Sequence, residues 1–366
     1  MNGILAYLIV YFLLIGGVVL VGFMLHLRKT NRPVEVRISR EDITVIVPFR
    51  NEEKRLDALL SSILNANSLP KKFLFIDDHS EDNSVELIGN RLENLPCEIL
   101  SSPEGTVGKK MALREGIKRC ETKYILTFDA DVSFEPNYFE SIEQLAEADM
   151  YVLPAILKGE SLLELFYELD VALANALNVG LSGWSRPIFS SGANFLYKRE
   201  VFNEVDDIES HVHMASGDDT YLLRDFRNKG KVIRVESNLN MAISTETPHS
   251  FREFIDQRLR WVGKTTNIGD SLATLFAVWQ FLLAIGFFSL LIYSAVTGAW
   301  FPFSVLFSAK VGSDLLFFFP YFNRVKRMQS WLLIPIYELL FPLYSLLIGV
   351  LMITYRPKWK GRAIQS

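Results

Sequence analysis

Residues 124–131 read YILTFDAD, and this stretch decides the fold. Tyr124, Ile125, Leu126, Thr127 and Phe128 are apolar, β-branched or aromatic, which suits a strand buried on both faces. The run ends in two carboxylates, Asp129 and Asp131, separated by one alanine. In open α/β sheets ligands bind beyond the carboxyl ends of the strands. An Asp-x-Asp placed there offers hard oxygen ligands to Mg²⁺ or Mn²⁺, and a bound diphosphate can supply further oxygens. The same pair also occurs as a plain turn or helix cap, so the surrounding chain has to discriminate.

Upstream, strands alternate with helices. Residues 43–48 (ITVIVP) read as a buried strand. In the helix that follows, Leu56, Leu59, Leu60, Ile63 and Leu64 keep a helical spacing. Residues 73–76 form a second strand, closed by Asp77-Asp78-His79-Ser80, and 82–92 suit the next helix. A short strand at 98–100 and a helix at 109–120 complete the approach to Tyr124. Such alternation argues for a parallel sheet with crossover helices, so 33–250 is expected to be one catalytic domain.

Downstream, Ser161 and Glu164 make a capping box. Leu162, Leu165, Phe166, Leu169, Leu173, Ala176 and Leu177 then form one stripe, suited to core packing or to a membrane surface. Ser250 and Glu253 open a similar helix, expected over 251–268 at the interface, with Gln257, Arg260 and Trp261 on it.

The chain has 366 residues, 49% hydrophobic and 22% charged, with a mean hydropathy of +0.19. Apolar blocks flanking a globular segment explain both percentages. Residues 4–25 carry no charge, enough for a bilayer span, and His26, Arg28, Lys29 and Arg32 follow. A transmembrane anchor over 1–27 is expected, with the next segment cytoplasmic by the positive-inside rule. Residues 271–355 form a C-terminal transmembrane region, interrupted by Arg324, Lys326 and Arg327 and followed by a basic tail, 356–366. Three spans there would leave this tail outside, against the rule, unless 331–355 is a Pro-broken re-entrant hairpin. Lys310 and Asp314, four apart within an apparent span, are read as neutralising each other. A net charge of −4 gives no electrostatic case for nucleic acid. Cys97 and Cys120 make neither a metal pattern nor a disulfide framework.

The motifs gain weight from their order. Asn51-Glu52-Glu53 follows the first strand and Asp77-Asp78-x-Ser80 the second. Then come Gly108-Lys109, Asp129-x-Asp131, Ser191-Gly192-Ala193-Asn194, Gly217-Asp218-Asp219 and Gln257-x-x-Arg260-Trp261. In this order, over roughly residues 40–265, the chain resembles the membrane-bound, inverting branch of the family 2 glycosyltransferases. That branch includes ceramide glucosyltransferase-like enzymes and hyaluronan, chitin and cellulose synthases. The resemblance implies a GT-A fold: an α/β, Rossmann-like, mostly parallel sheet in a cytosolic domain, flanked by N- and C-terminal transmembrane helices.

It also implies residue roles. Pro48, Glu52 and Asp78 match positions that hold the uridine of a nucleotide-sugar, and Lys109 matches a lysine near the diphosphate. Asp129 and Asp131 match the metal-diphosphate motif, with Mg²⁺ or Mn²⁺ as cofactor and Asp131 as the direct ligand. Gly192 and Asn194 match the acceptor-side loop. Asp219 matches the general base, although the family usually has Glu where Asp218 stands. Gln257, Arg260 and Trp261 match a helix that braces acceptor and diphosphate.

The chemistry is coherent without the family. A leaving nucleoside diphosphate needs positive charge. An acceptor hydroxyl needs a carboxylate to take its proton. The expectation is an integral protein of a bacterial inner membrane. It would move a sugar from a UDP-sugar to a membrane lipid or a growing glycan. The alternatives are a processive polysaccharide synthase and an inactive membrane scaffold. The presence of Asp129, Asp131 and Asp219 argues against the scaffold.

Overall fold

Apolar runs become strands and amphipathic runs become helices throughout the computed structural model, which describes residues 2–30, 36–206, 218–267, 270–355, 358–359 and 362–363. Most of the basic tail, Gly217 and the side chain of Asp218 lie outside the described set. The elements begin with α1 (Asn2–Thr30), β1 (Ile43–Phe49), α2 (Leu56–Leu64), β2 (Lys72–Asp77), α3 (Ser84–Leu92), β3 (Cys97–Ser101), α4 (Lys109–Arg119) and β4 (Tyr124–Phe128). Next come β5 (Val132–Phe134), α5 (Tyr138–Ile142), β6 (Met150–Val152), β7 (Ala155–Lys158), α6 (Leu162–Gly183), β8 (Asn194–Lys198), α7 (Arg199–Val205) and α8 (Asp218–Asn228). β9 (Ile233–Val235), β10 (Ile243–Glu246), α9 (Phe251–Asn267), α10 (Ser271–Thr297), α11 (Phe301–Arg324), α12 (Met328–Trp331) and α13 (Ile334–Thr354) follow.

The chain divides into two compact units. One is Asn31–Leu157 with Phe189–Glu246. Its seven-stranded sheet has the order β3-β2-β1-β4-β8-β6-β9. β3, β2, β1 and β4 are parallel, whereas β8 runs antiparallel to both β4 and β6. All seven residues of β1 are buried, as an apolar run covered on both faces requires. Pro48 is tolerated in this central strand because pairing with β4 ends at Ile46 and Thr127, so its missing N–H leaves no gap in that ladder. Gly116 lets α4 approach the sheet: a Cβ there would stand 2.6 Å from Ile46 Cγ2. The second sheet, β5-β10-β7, has three strands.

The other unit is Met1–Thr30, Lys158–Ile188 and Thr247–Ser366. A single domain over 33–250 would include residues 158–188. The structure instead puts α6 with the apolar helices, because glycines let it seat against α1. A Cβ on Gly180 would come within 2.9 Å of Val19, and one on Gly183 would enter the Gly22 backbone. Trp184 Nε1 donates to Val18 O (3.0 Å) and Lys29 Nζ to Gly183 O (2.7 Å). The capping box of Ser161 and Glu164 is formed. Glu168, buried on α6, is met by Arg327 (Nε to Oε1, 2.7 Å) and by Ser330.

Among the described residues, four helices are long and apolar enough to cross a membrane: Leu8–Thr30, Ser271–Thr297, Phe301–Arg324 and Ile334–Thr354. In place of a Pro-broken hairpin over 331–355, α13 continues through Pro342 as one helix. Lys310 and Asp314 pair as expected, and Glu338 of α13 joins them, its Oε2 3.1 Å from Lys310 Nζ.

Candidate active site

The strand ends of the sheet unit bring several of the expected residues together. The Asp78 carboxylate, buried just past β2, accepts the Gly108 N–H with both oxygens (2.9 and 3.0 Å). Gly108 has φ 107°, a conformation that favours glycine, and it turns the chain into α4 at Lys109. Glu52 is buried, and its N–H donates to Ser84 Oγ at 2.8 Å. Asn51 (φ 50°) and His79 (φ 59°) make the tight exits from β1 and β2.

Asp129 and Asp131 follow β4 directly. Lys109 Nζ forms an ion pair with Asp129 Oδ1. Arg55 Nη1 lies 3.4 Å from Asp131 Oδ2. Burial, reinforced by the neighbouring Asp129 charge, pushes the Asp131 carboxyl up to about 6, with Arg55 opposing. Arg55 was not anticipated from the sequence; its signal was a basic residue closing the loop opened by Asn51-Glu52-Glu53. Among the described residues no group of three or more His, Cys, Asp or Glu side chains could hold a metal ion alone. Two adjacent carboxylates, one with a raised proton affinity, nevertheless fit a divalent ion whose remaining oxygens come from a ligand diphosphate.

The antiparallel β8 returns the chain to this edge. Phe128 at the end of β4 pairs with Asn194 at the start of β8. Thr127 Oγ1 donates to Gly192 O at 2.8 Å. The Gly192 N–H in turn donates to Asp219 Oδ2 at 2.9 Å. Asp219 lies within the first turn of α8, and its Oδ1 accepts from Thr220 N (2.8 Å) and Oγ1 (3.2 Å). A Cβ on Gly192 would stand 3.3 Å from Asp219 Cβ, so glycine suits this approach.

Asn194 departs from its expected place on the acceptor side. It is fully buried; Nδ2 donates to Pro154 O (2.7 Å) and Met241 O (3.0 Å), and Oδ1 accepts from Tyr138 OH (2.6 Å). Its amide is committed to the core.

Gln257, Arg260 and Trp261 lie on α9, in the other unit. Burial lowers the affinity of the Arg260 guanidinium for its proton, with Asp256 opposing. The residue between them in sequence, Arg258, organises this helix. It is buried and pairs with Asp170 of α6. Its guanidinium lies over the rings of Trp261 (4.4 Å) and Phe254 (4.7 Å), and Nη1 donates to Gln257 Oε1 at 3.2 Å.

Residues 44–206 match the family model described as Glycosyl transferase family 2. This segment, from β1 through α7, is therefore similar to the family 2 glycosyltransferases. It is similar to a cholesterol galactosyltransferase of Borreliella burgdorferi, 27% identical over 112 residues, 31% of this chain and 31% of that protein. It is also similar to a poly-beta-1,6-N-acetyl-D-glucosamine synthase of Staphylococcus aureus (strain COL), 31% identical over 102 residues, 28% of this chain and 24% of that one. The matched part thus spans about a third or less of the length of these relatives. The GT-A fold is shared with a mannosyltransferase from Pyrobaculum calidifontis, solved in complex with GDP-Man and Mn2+. That likeness has a TM-score of 0.55 and 15% identity, and covers 92% of this chain and 99% of that one.

Proposed function

We propose that the protein is an inverting glycosyltransferase that moves a sugar from a UDP-sugar to a lipid acceptor at the membrane. One observation carries the reading: the β4–β8 register sets the Asp129/Asp131 pair and the Asp219-bound Gly192 loop at the same sheet edge. Asp219 takes the proton of the acceptor hydroxyl as its oxygen attacks the anomeric carbon. The bond from that carbon to the diphosphate breaks on the opposite face, and UDP leaves with the electron pair. One displacement inverts the anomeric configuration. A divalent ion, held through Asp129 and Asp131, supplies positive charge for the leaving diphosphate when bound. Lys109 exchanges Asp129 for that diphosphate. The basic residues in the last turn of α1, Arg28 and Lys29, support a cytoplasmic face of a bacterial inner membrane for the sheet unit.

The purified full chain, given Mn²⁺, labelled UDP-sugars and extracted lipid, tests this. Label is expected in the lipid phase with stoichiometric UDP release. Label in long polymer instead would favour a processive synthase. Absence of UDP release with every donor and acceptor would reject the reading.

A further inference from the structure

Length and composition make α13 a third C-terminal crossing, which strands the basic tail on the far side. The contacts of α13 give a different path. α10 and α11 are joined by the turn 298–300, with Gly298 at φ 72°, so distance from that turn measures depth along both helices. Glu338 contacts Lys310, which holds Asp314, about 15 and 21 Å along α11 from Trp300 at 1.5 Å per residue. Gly349 packs on Phe281, where a Cβ would stand 2.6 Å from Cε2. Phe281 lies about 25 Å along α10 from Gly298. From Glu338 to Gly349 α13 advances about 16 Å along its own axis. In that distance it gains only about 4–10 Å of depth, and it moves away from the turn. A crossing would carry it towards the turn.

A second observation is independent. α9 runs alongside the latter half of α13 in the same direction. Phe254 meets Tyr344 (ring centroids 5.4 Å apart), and a Cβ on Gly263 would stand 4.0 Å from Met352 Cε. α9 carries Arg252, Glu253, Asp256, Arg258 and Arg260. So charged a helix does not accompany another through hydrocarbon.

We propose that α13 does not cross the membrane. It lies inclined in the half of the bilayer next to α9 and returns the chain to the side of α9. Its exposed residues Ile336, Leu343, Leu347, Val350 and Ile353 face lipid acyl chains. The ion pairs of Glu338 and Lys310 pin its first turns against α11 at depth. Arg356, Lys358, Lys360 and Arg362 then share a side with Arg324, Lys326 and Arg327, and the charge conflict disappears.

With α1, α10 and α11 crossing, the two chain ends fall on opposite sides of the membrane. Epitope tags on each end of the full chain, probed by antibody in intact and permeabilised spheroplasts, test this. One tag is expected to be reached in intact spheroplasts and the other only after permeabilisation. Two tags with the same accessibility overturn the proposal. Spin labels at Ile336 and Val350 provide a second measurement, since these positions are about 21 Å apart along the helix axis. Their depths are expected to differ by less than about half of that, and a difference near the full length overturns it.

Discussion

The carboxylate of Asp219 holds the backbone of Gly192 at 2.9 Å. Because Gly192 O is held in turn by Thr127 of β4, α8 is tied to the strand that presents Asp129 and Asp131.

Asp219→Asn keeps the shape of the side chain and removes its basicity, leaving an NH₂ group opposite either the Gly192 or the Thr220 donor. The expected result is a fall in kcat of at least about 10²-fold, with UDP-sugar affinity nearly unchanged. Asp218→Asn is expected to cost far less. Steady-state kinetics decide: if Asp218→Asn is the inactive variant, the base assignment is wrong by one residue.

Asp131 gives a pH signature. Burial and Asp129 raise its carboxyl from the ordinary 3.8 to about 6. The ionised form therefore costs folding free energy. The cost is absent below about 3.8, grows between there and about 6, and stays constant above. A divalent ion on the ionised pair relieves it. Mn²⁺ with UDP is expected to raise Tm near neutral pH, by an increment that shrinks as pH falls through about 6. Asp131→Asn should raise the metal-free Tm and abolish the increment. An increment independent of pH would remove Asp131 from the metal site.

Tyr138→Phe removes the donor to Asn194 Oδ1 inside a sealed core. Leaving that acceptor unpaired costs about 1–3 kcal/mol, read as a lower Tm in detergent. KM for the acceptor should stay the same, because the Asn194 amide faces the core. A changed acceptor KM without loss of Tm would return Asn194 to the acceptor side.

Arg258→Met takes the guanidinium partner from the half-buried Asp170 carboxylate, to which the Tyr337 hydroxyl still donates. Breaking such a pair from one side costs about 3–5 kcal/mol. Combining it with Asp170→Leu should recover much of the stability, since two apolar side chains leave no buried charge. The double variant is nevertheless expected to keep a reduced kcat, because Trp261 and Gln257 lose the guanidinium that orients them. Full activity in the double variant would make Arg258 purely structural.

The strands were legible because a run such as ITVIVP or YILTF, buried on both faces, has few alternatives. Their terminal carboxylates marked the edge where ligands bind. Pairings made across long sequence distances were not legible. Nothing near Asn194 signalled that Tyr138 would take its amide into the core, and nothing near Asp131 identified Arg55 as its counter-charge. The stripe on α6 read correctly as apolar, but periodicity shows that a face is covered without naming the covering element. The same limit applied to α13, where hydropathy gave length and composition but not direction.

The glycine face of α6 limits how this protein can be divided. α6 lies between β7 and β8 in sequence, so removing α1 and everything after Glu246 would not remove it. The remaining chain would still carry a helix whose Gly180 and Gly183 are shaped to fit a partner no longer present. Truncation to such a fragment would therefore turn a packed helix–helix seam into an adhesive surface. Trimming α6 as well would mean rejoining β7 to the loop that carries Gly192, placing the join next to the residues proposed to meet the acceptor.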